Sequence, residues 1–139
     1  MYEYHGWITV RTKYENIETE DEDDLLLKTV ADIKKYIINL NWGHGVLDIR
    51  PINAEFHIWT SGYRNHKPLE KYSPIEFFRH IGNIAPGSYG ILYVIDDDDM
   101  TDENYNKFKV YVLARGKLIE HEDPFLSPFV PVVESLPMD

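Results

Sequence analysis

Ser73-Pro74-Ile75-Glu76-Phe77-Phe78-Arg79-His80-Ile81-Gly82-Asn83-Ile84-Ala85-Pro86-Gly87-Ser88-Tyr89-Gly90-Ile91-Leu92-Tyr93-Val94-Ile95 carries a helix and a strand in one uninterrupted run. Ser73 can cap a helix, Pro74 suits its first position, and Glu76 completes a capping box. Phe77, Phe78, Ile81 and Ile84 recur at helical spacing and give that helix a buried face. Pro86-Gly87 stops it. Tyr89 to Ile95 is then almost uniformly apolar, which predicts a central strand covered on both faces.

Outward from this run, the flanking segments follow the same logic. Toward the N-terminus, Ala54 to Ser61 and Val46 to Arg50 read as two strands, joined by Pro51-Ile52-Asn53 in a hairpin. Before them, Leu26, Val30, Ile33, Ile37 and Leu40 form one apolar stripe at spacings of three and four, so a helix ends near Leu40. Gly43 or Gly45 is available for its left-handed cap, and Thr19 with Glu22 for a capping box at its start. Tyr2 to Lys13 alternates as a strand, with Gly6 marking a bulge or a close backbone approach. Toward the C-terminus, Lys107 to Arg115 alternates, with Phe108, Val110, Val112 and Ala114 on one side. Arg115-Gly116 turns the chain into Lys117 to Glu120. The tail from Asp123 is rich in Pro and Phe and is expected to lie extended against the body.

The order strand, helix, strand, strand, helix, strand, strand, strand is dominated by hairpins. It predicts an α+β fold: a mostly antiparallel sheet of about six strands with two helices on one face. The 139 residues fit a single domain spanning 1–139, with an α+β body over 1–122 and the tail over 123–139.

Composition removes several classes of function. The chain has no cysteine, which excludes disulfides, thiolate zinc sites and a cysteine nucleophile. Its start has neither a basic nor an apolar leader region, and no apolar run approaches the roughly 20 residues that span a bilayer, so a soluble, cytoplasmic protein is expected. The net charge of -10 repels phosphate backbones and argues against nucleic acid. The same charge favours fast association with a basic protein.

The usual signatures of catalysis and metal binding are missing. None of the six histidines forms a HExxH pair. No serine sits in a G-x-S-x-G elbow. Gly87-Ser88-Tyr89-Gly90 leads into a strand, whereas phosphate loops lead into helix N-termini. The acidic loop Asp96, Asp97, Asp98, Asp99 lacks the glycine and spacing of a calcium loop. No catalytic residue, cofactor or metal is therefore expected.

Two kinds of feature remain as candidates for contacting a partner. One is acidic: Glu20, Asp21, Glu22, Asp23 and Asp24 at the start of the first helix, and Asp96 to Asp99. The other is aromatic. Trp7 shares a strand face opposite Tyr4, Ile8 and Val10, while His57 and Trp59 oppose Phe56 and Ile58. If the apolar sets face the helices, Trp7, His57 and Trp59 lie on the open face of the sheet, either as an interface or under the Pro/Phe tail.

Three segments carry a family resemblance. Tyr4-His5-Gly6-Trp7, then Ala85-Pro86-Gly87-Ser88-Tyr89-Gly90-Ile91-Leu92-Tyr93 with Asp96-Asp97, then Arg115-Gly116-Lys117-Leu118 and Glu122-Asp123-Pro124-Phe125-Leu126-Ser127-Pro128-Phe129-Val130-Pro131 resemble, in order, the immunity protein 7 family of bacterial polymorphic toxin systems. The tail pattern is the most specific of the three. The resemblance implies an α+β cytoplasmic protein that binds a cognate toxin domain and blocks it, with no catalysis and no cofactor. It marks no toxin-contacting residue. Should the toxin be a nuclease, its groove would be basic and the acidic segments could act as phosphate mimics. The alternatives are a general protein-binding module without a toxin partner and, behind it, a small enzyme.

Overall fold

The computed structural model describes residues 1–13, 20–43 and 45–129. In chain order these form β1 (Tyr2–Val10), α1 (Glu20–Leu40), β2 (Val46–Ile52), β3 (Glu55–Arg64), a single 3-10 turn (Glu70–Tyr72), α2 (Pro74–Ile84), β4 (Tyr89–Asp96), β5 (Lys109–Ala114) and β6 (Lys117–Glu122). The six strands make one open sheet in the order β2-β3-β1-β4-β5-β6, and every neighbouring pair is antiparallel. The expected α+β class and element order are therefore what the chain adopts.

Strand alternation assigns the two faces of the sheet. Tyr2, Tyr4, Ile8 and Val10 of β1 point inward with Ile58, Leu92, Val94 and Leu113 of neighbouring strands. They meet Val30, Ile33 and Leu40 of α1 and Phe77, Phe78 and Ile81 of α2 in one core. Gly6 belongs to this inward set and does not bulge, since its pairing to Thr60 and Leu92 is continuous. A Cβ there would lie 2.8 Å from the Phe78 ring, so the missing side chain is the space that α2 fills. Tyr4 is fully buried and accepts a 3.0 Å hydrogen bond from Trp42 Nε1, which ties the end of α1 to the sheet.

Several local expectations are corrected. β1 stops at Val10, because the next amide, Arg11 N–H, donates to Ser88 Oγ at 3.1 Å and not to a strand. Asn41, with φ of 49°, takes the first left-handed position after α1; Gly43 and Gly45 follow with positive φ. The β2–β3 turn is Asn53-Ala54, both left-handed, and Pro51 falls inside β2. An edge strand tolerates that proline because the missing N–H can face solvent. Ser73 caps α2 as expected, accepting from Ile75 N–H at 3.2 Å. The box is not completed, since Ser73 N–H already donates to Glu70 O and Glu76 pairs with Arg79. β4 is central but is not covered on both faces: Tyr89 is exposed, and Ile91 and Tyr93 are half-buried. The Thr19 half of the first capping box lies outside the described residues.

The helices meet through stacked rings. Tyr36 of α1 lies 3.9 Å from His80 of α2, nearly parallel, and 6.0 Å from Phe77. Desolvation in this contact lowers the His80 pKa from its ordinary 6.5. The folded state then resists a proton that the unfolded state accepts, so stability falls as pH drops below about 6.5 and levels off once pH is below the folded pKa. Urea melts at pH 7.5 and 5.0 are expected to show a larger acid loss in the wild type than in His80→Phe.

Candidate protein-binding interface

The face away from the helices is built by the other half of each strand. Trp7 stands opposite Trp59 on one side and Ile91 on the other. Trp59 stands opposite Asp48, Ile91 opposite Val112, and Val112 opposite Ile119. One row therefore crosses all six strands as Asp48, Trp59, Trp7, Ile91, Val112 and Ile119. At the usual spacing between strands it is roughly 24 Å long. Trp7 and Trp59 are 45% and 47% exposed, which leaves about half of each ring to face a partner.

Neighbouring side chains hold this row in place. Tyr89 meets Trp7 edge-on at 6.2 Å. Arg50 lies 5.7 Å over the Trp59 ring while its Nε donates to Asp48 Oδ2 at 2.6 Å. A guanidinium fixed on both sides loses little freedom on binding. His57 lies beside Thr9 in the adjacent row, with Glu55 3.5 Å from its Nε2. His5 is bracketed by Glu3 at 2.7 Å and Ser61 Oγ at 2.8 Å. The centre of the face is thus aromatic and aliphatic, and Glu3, Asp48, Arg50, Glu55 and Lys117 are distributed around it. That is the composition of a protein-binding surface with a polar rim.

One end of the same face is already covered. Ile95 and Val110 point outward yet are buried, and with Phe108 they stand apart from the main core. Phe108 packs edge-on against Tyr93 at 6.3 Å and Phe129 at 5.8 Å, and Phe129 N–H donates to Asn106 O at 2.8 Å. The first part of the tail therefore packs beside Tyr93 and Phe108. Residues 130–139, on which the rest of the tail expectation falls, lie outside the described residues.

The two acidic candidates are not brought together. Asp96 pairs with Tyr2 at the start of β1, whereas α1 begins beyond its end, where Lys13 lies 3.4 Å from Glu22. The nine residues of β1 separate these ends by roughly 27 Å. The side chains of Glu20 and Asp21 lie outside the described residues; those of Asp23 and Asp24 are exposed.

Asp96 to Asp99 are engaged by the chain itself. Asp97 Oδ1 takes a 2.6 Å hydrogen bond from the Met1 ammonium, which raises the pKa of that amine. His66 bonds to Asp98 at 3.0 Å and depresses its pKa. Asp99 accepts from Thr101 Oγ and Asn104 Nδ2, both at 2.8 Å, and Thr101 chiefly holds its pKa down. Asp96 Oδ1 accepts from Asp98 N–H. Sequence reading missed the Met1 contact, which only the β1–β4 register reveals.

The chemistry of the remaining candidates is structural. Among the described residues, no group of three or more His, Asp or Glu side chains could hold a metal ion. No described helix is long and apolar enough to cross a membrane. Ser88 joins β4 to the end of β1 through Arg11, and Ser127 accepts from Phe108 N–H.

Comparison with curated proteins and with solved structures gives no match. The family model described as Immunity protein 7 matches residues 1–135, essentially the whole chain. A protein of this family is an immunity protein of a toxin system, and its partner is a toxin protein. The chain therefore belongs to the immunity protein 7 family.

Proposed function

We propose that this chain binds and neutralises a cognate bacterial toxin domain by direct contact, without catalysis, in the cytoplasm, and that the open sheet face centred on Trp7 and Trp59 makes the contact. The observation that carries the proposal is the row crossing all six strands, with two half-exposed tryptophans side by side at its centre. Tryptophan and arginine dominate the binding energy of protein interfaces, and here Arg50 is already stacked on Trp59. The net charge of -10 suits a toxin with a basic surface, such as a nuclease. The acids that open α1 would then flank the contact. Those at Asp96 to Asp99 serve first to hold Met1 and His66.

Co-expression with a cognate toxin domain, sought among the neighbouring genes, is expected to restore growth and to yield a 1:1 complex on co-purification. The association rate is expected to fall about tenfold or more as ionic strength rises from about 0.01 M to about 1 M, across which the Debye length shrinks from about 30 Å to about 3 Å. A rate that ignores salt removes the electrostatic part of the proposal. Failure to rescue any neighbouring toxin favours a general binding module.

One arrangement favours a second reading. Ser61 Oγ, His5 and Glu3 form a hydrogen-bonded chain of serine, histidine and acid as in serine hydrolases, although with the two ring nitrogens exchanged: Nδ1 faces Ser61 and Nε2 faces Glu3. It lies on the flat of the sheet, where β1 is paired on both sides and its backbone N–H groups are committed to the ladders. Little is then left to stabilise an oxyanion. Ser61→Ala is therefore expected to leave neutralisation within a few-fold of wild type; a hundredfold loss would support the hydrolytic reading.

A further inference from the structure

The edges of the sheet are β2 and β6, and the chain treats them differently. A two-residue turn with both central residues left-handed closes each outer hairpin, Asn53-Ala54 between β2 and β3 and Arg115-Gly116 between β5 and β6. The pair flanking such a turn exchanges both backbone hydrogen bonds, and every second pair beyond it does the same. In β2, Val46, Asp48, Arg50 and Ile52 therefore bond inward to β3. Leu47, Ile49 and Pro51 turn their backbone groups to the edge, where Pro51 has no N–H to offer and Ile49 is buried. In β6, Lys117, Ile119 and His121 bond to β5, so Leu118, Glu120 and Glu122 present N–H and C=O outward. None of these is a proline, and among the described residues nothing pairs with those outward groups.

The side chains of β6 define what suits this edge. Ile119, 53% exposed, ends the row that starts at Asp48 on the open face. On the other face Glu120 and Glu122 are both exposed. Glu120 accepts from Tyr111 Oη at 3.3 Å, and Glu122 stands opposite Lys109 with no ion pair between them. Carboxylates at alternate positions favour cations at alternate positions on an adjoining strand. They also repel acidic strands, as edge charges generally do. A second copy of the chain fits poorly. The antiparallel self-pairing that uses all the outward groups sets Glu120 against its own copy, and two chains of net charge -10 repel each other.

We propose that the β6 edge accepts an extended segment of the toxin as an added strand, with lysine or arginine at alternate positions facing Glu120 and Glu122 and an apolar residue beside Ile119. The inference rests on the toxin-binding reading and adds to it a backbone contact beyond the face centred on Trp7 and Trp59.

The test compares Glu120→Pro with Glu120→Ala. The proline removes an outward N–H and puts its ring there, yet takes nothing from the β5 ladder, just as Pro51 takes nothing from β3. Glu120→Pro is expected to keep a urea midpoint close to wild type and to bind a cognate toxin domain, sought among the neighbouring genes, about tenfold or more weakly. Glu120→Ala keeps the N–H and is expected to lose about threefold. Amide exchange in the wild type gives a second measurement, which decides alone if Glu120→Pro does not fold. In the free chain Leu118, Glu120 and Glu122 are expected to exchange faster than Ile119 and His121, and to slow once the toxin domain is bound. Equal binding by Glu120→Pro and Glu120→Ala, or outward amides that stay fast in the complex, would overturn the edge contact and leave the Trp7 and Trp59 contact standing. Exchange that slows with chain concentration in the absence of toxin would place a second copy on the edge and overturn it as well. A wild type that binds no such toxin overturns the reading on which both contacts rest.

Discussion

Replacing Trp7 and Trp59 together by alanine is expected to weaken binding of the cognate toxin domain by on the order of 4 kcal/mol, about a thousandfold in Kd. Each ring is placed as an interface anchor is placed. They are register partners on adjacent central strands, half of each is exposed, and each is braced from the side, Trp7 by Tyr89 and Trp59 by Arg50. Bracing matters because an anchor already held in position loses little entropy on binding. The two losses need not add, since the rings touch the same region of the partner. Most of the effect is expected in the dissociation rate. Folding should survive, because the main core is built from the opposite set of β1 and β3 residues. Circular dichroism and urea midpoints of the variant check that point, and calorimetry or surface binding measures the affinity. A variant that folds and still binds within threefold of wild type would remove the open face as the contact and shift attention to the acids at the start of α1. Asp48→Ala and Arg50→Ala, at the rim, are expected to cost much less.

The sequence showed the fold class and both faces of the sheet because alternation and helical spacing are local signals. Trp7 and Trp59 could be assigned to the open face from β1 and β3 separately. That they are direct neighbours, in a row running from Asp48 to Ile119, depends on five pairings, of which β1–β3 and β1–β4 join distant segments and have no local trace. The uniform apolarity of Tyr89 to Ile95 misled for a related reason. Ile91 and Tyr93 belong to the exposed row and the small outer cluster, so the strand looks doubly buried in sequence although one face is only partly covered. A sequence displays the charge of Asp96 to Asp99 but not its partners: Met1 and His66 reach the loop through tertiary structure, and Thr101 and Asn104 through local turns. The family-like segments also carry structural duties. Gly6 admits Phe78, Tyr4 receives Trp42, Ser88 receives Arg11, and Gly90 allows β1 and β4 to approach closely.

The tail segment makes the sharpest case of such a duty. Replacing Asp123 by alanine is expected to cost about 2 kcal/mol of folding stability while leaving toxin affinity of the folded protein nearly unchanged. Asp123 is 5% exposed, and its carboxylate accepts from Phe125 N–H at 3.1 Å, Leu126 N–H at 2.8 Å and Ser127 Oγ at 3.3 Å. Ser127 Oγ in turn accepts from Phe108 N–H at 2.8 Å, so the carboxylate orients the group that satisfies the first amide before β5. Hydrogen bonds to a charged acceptor contribute about 1.5–3 kcal/mol each. The three together should fall well short of their sum, because Phe125 and Leu126 are exposed and water can replace part of what their amides lose. Asp123→Asn keeps an acceptor at the same place and is expected to recover part of the loss, whereas Ser127→Ala is expected to release the Phe108 amide alone. Amide exchange separates these cases: protection should fall at Phe125, Leu126 and Phe108 in Asp123→Ala, but chiefly at Phe108 in Ser127→Ala. A thermal midpoint equal to wild type, with Phe108 still protected, would show that the carboxylate is dispensable and that Phe129 against Phe108 suffices to hold this part of the tail.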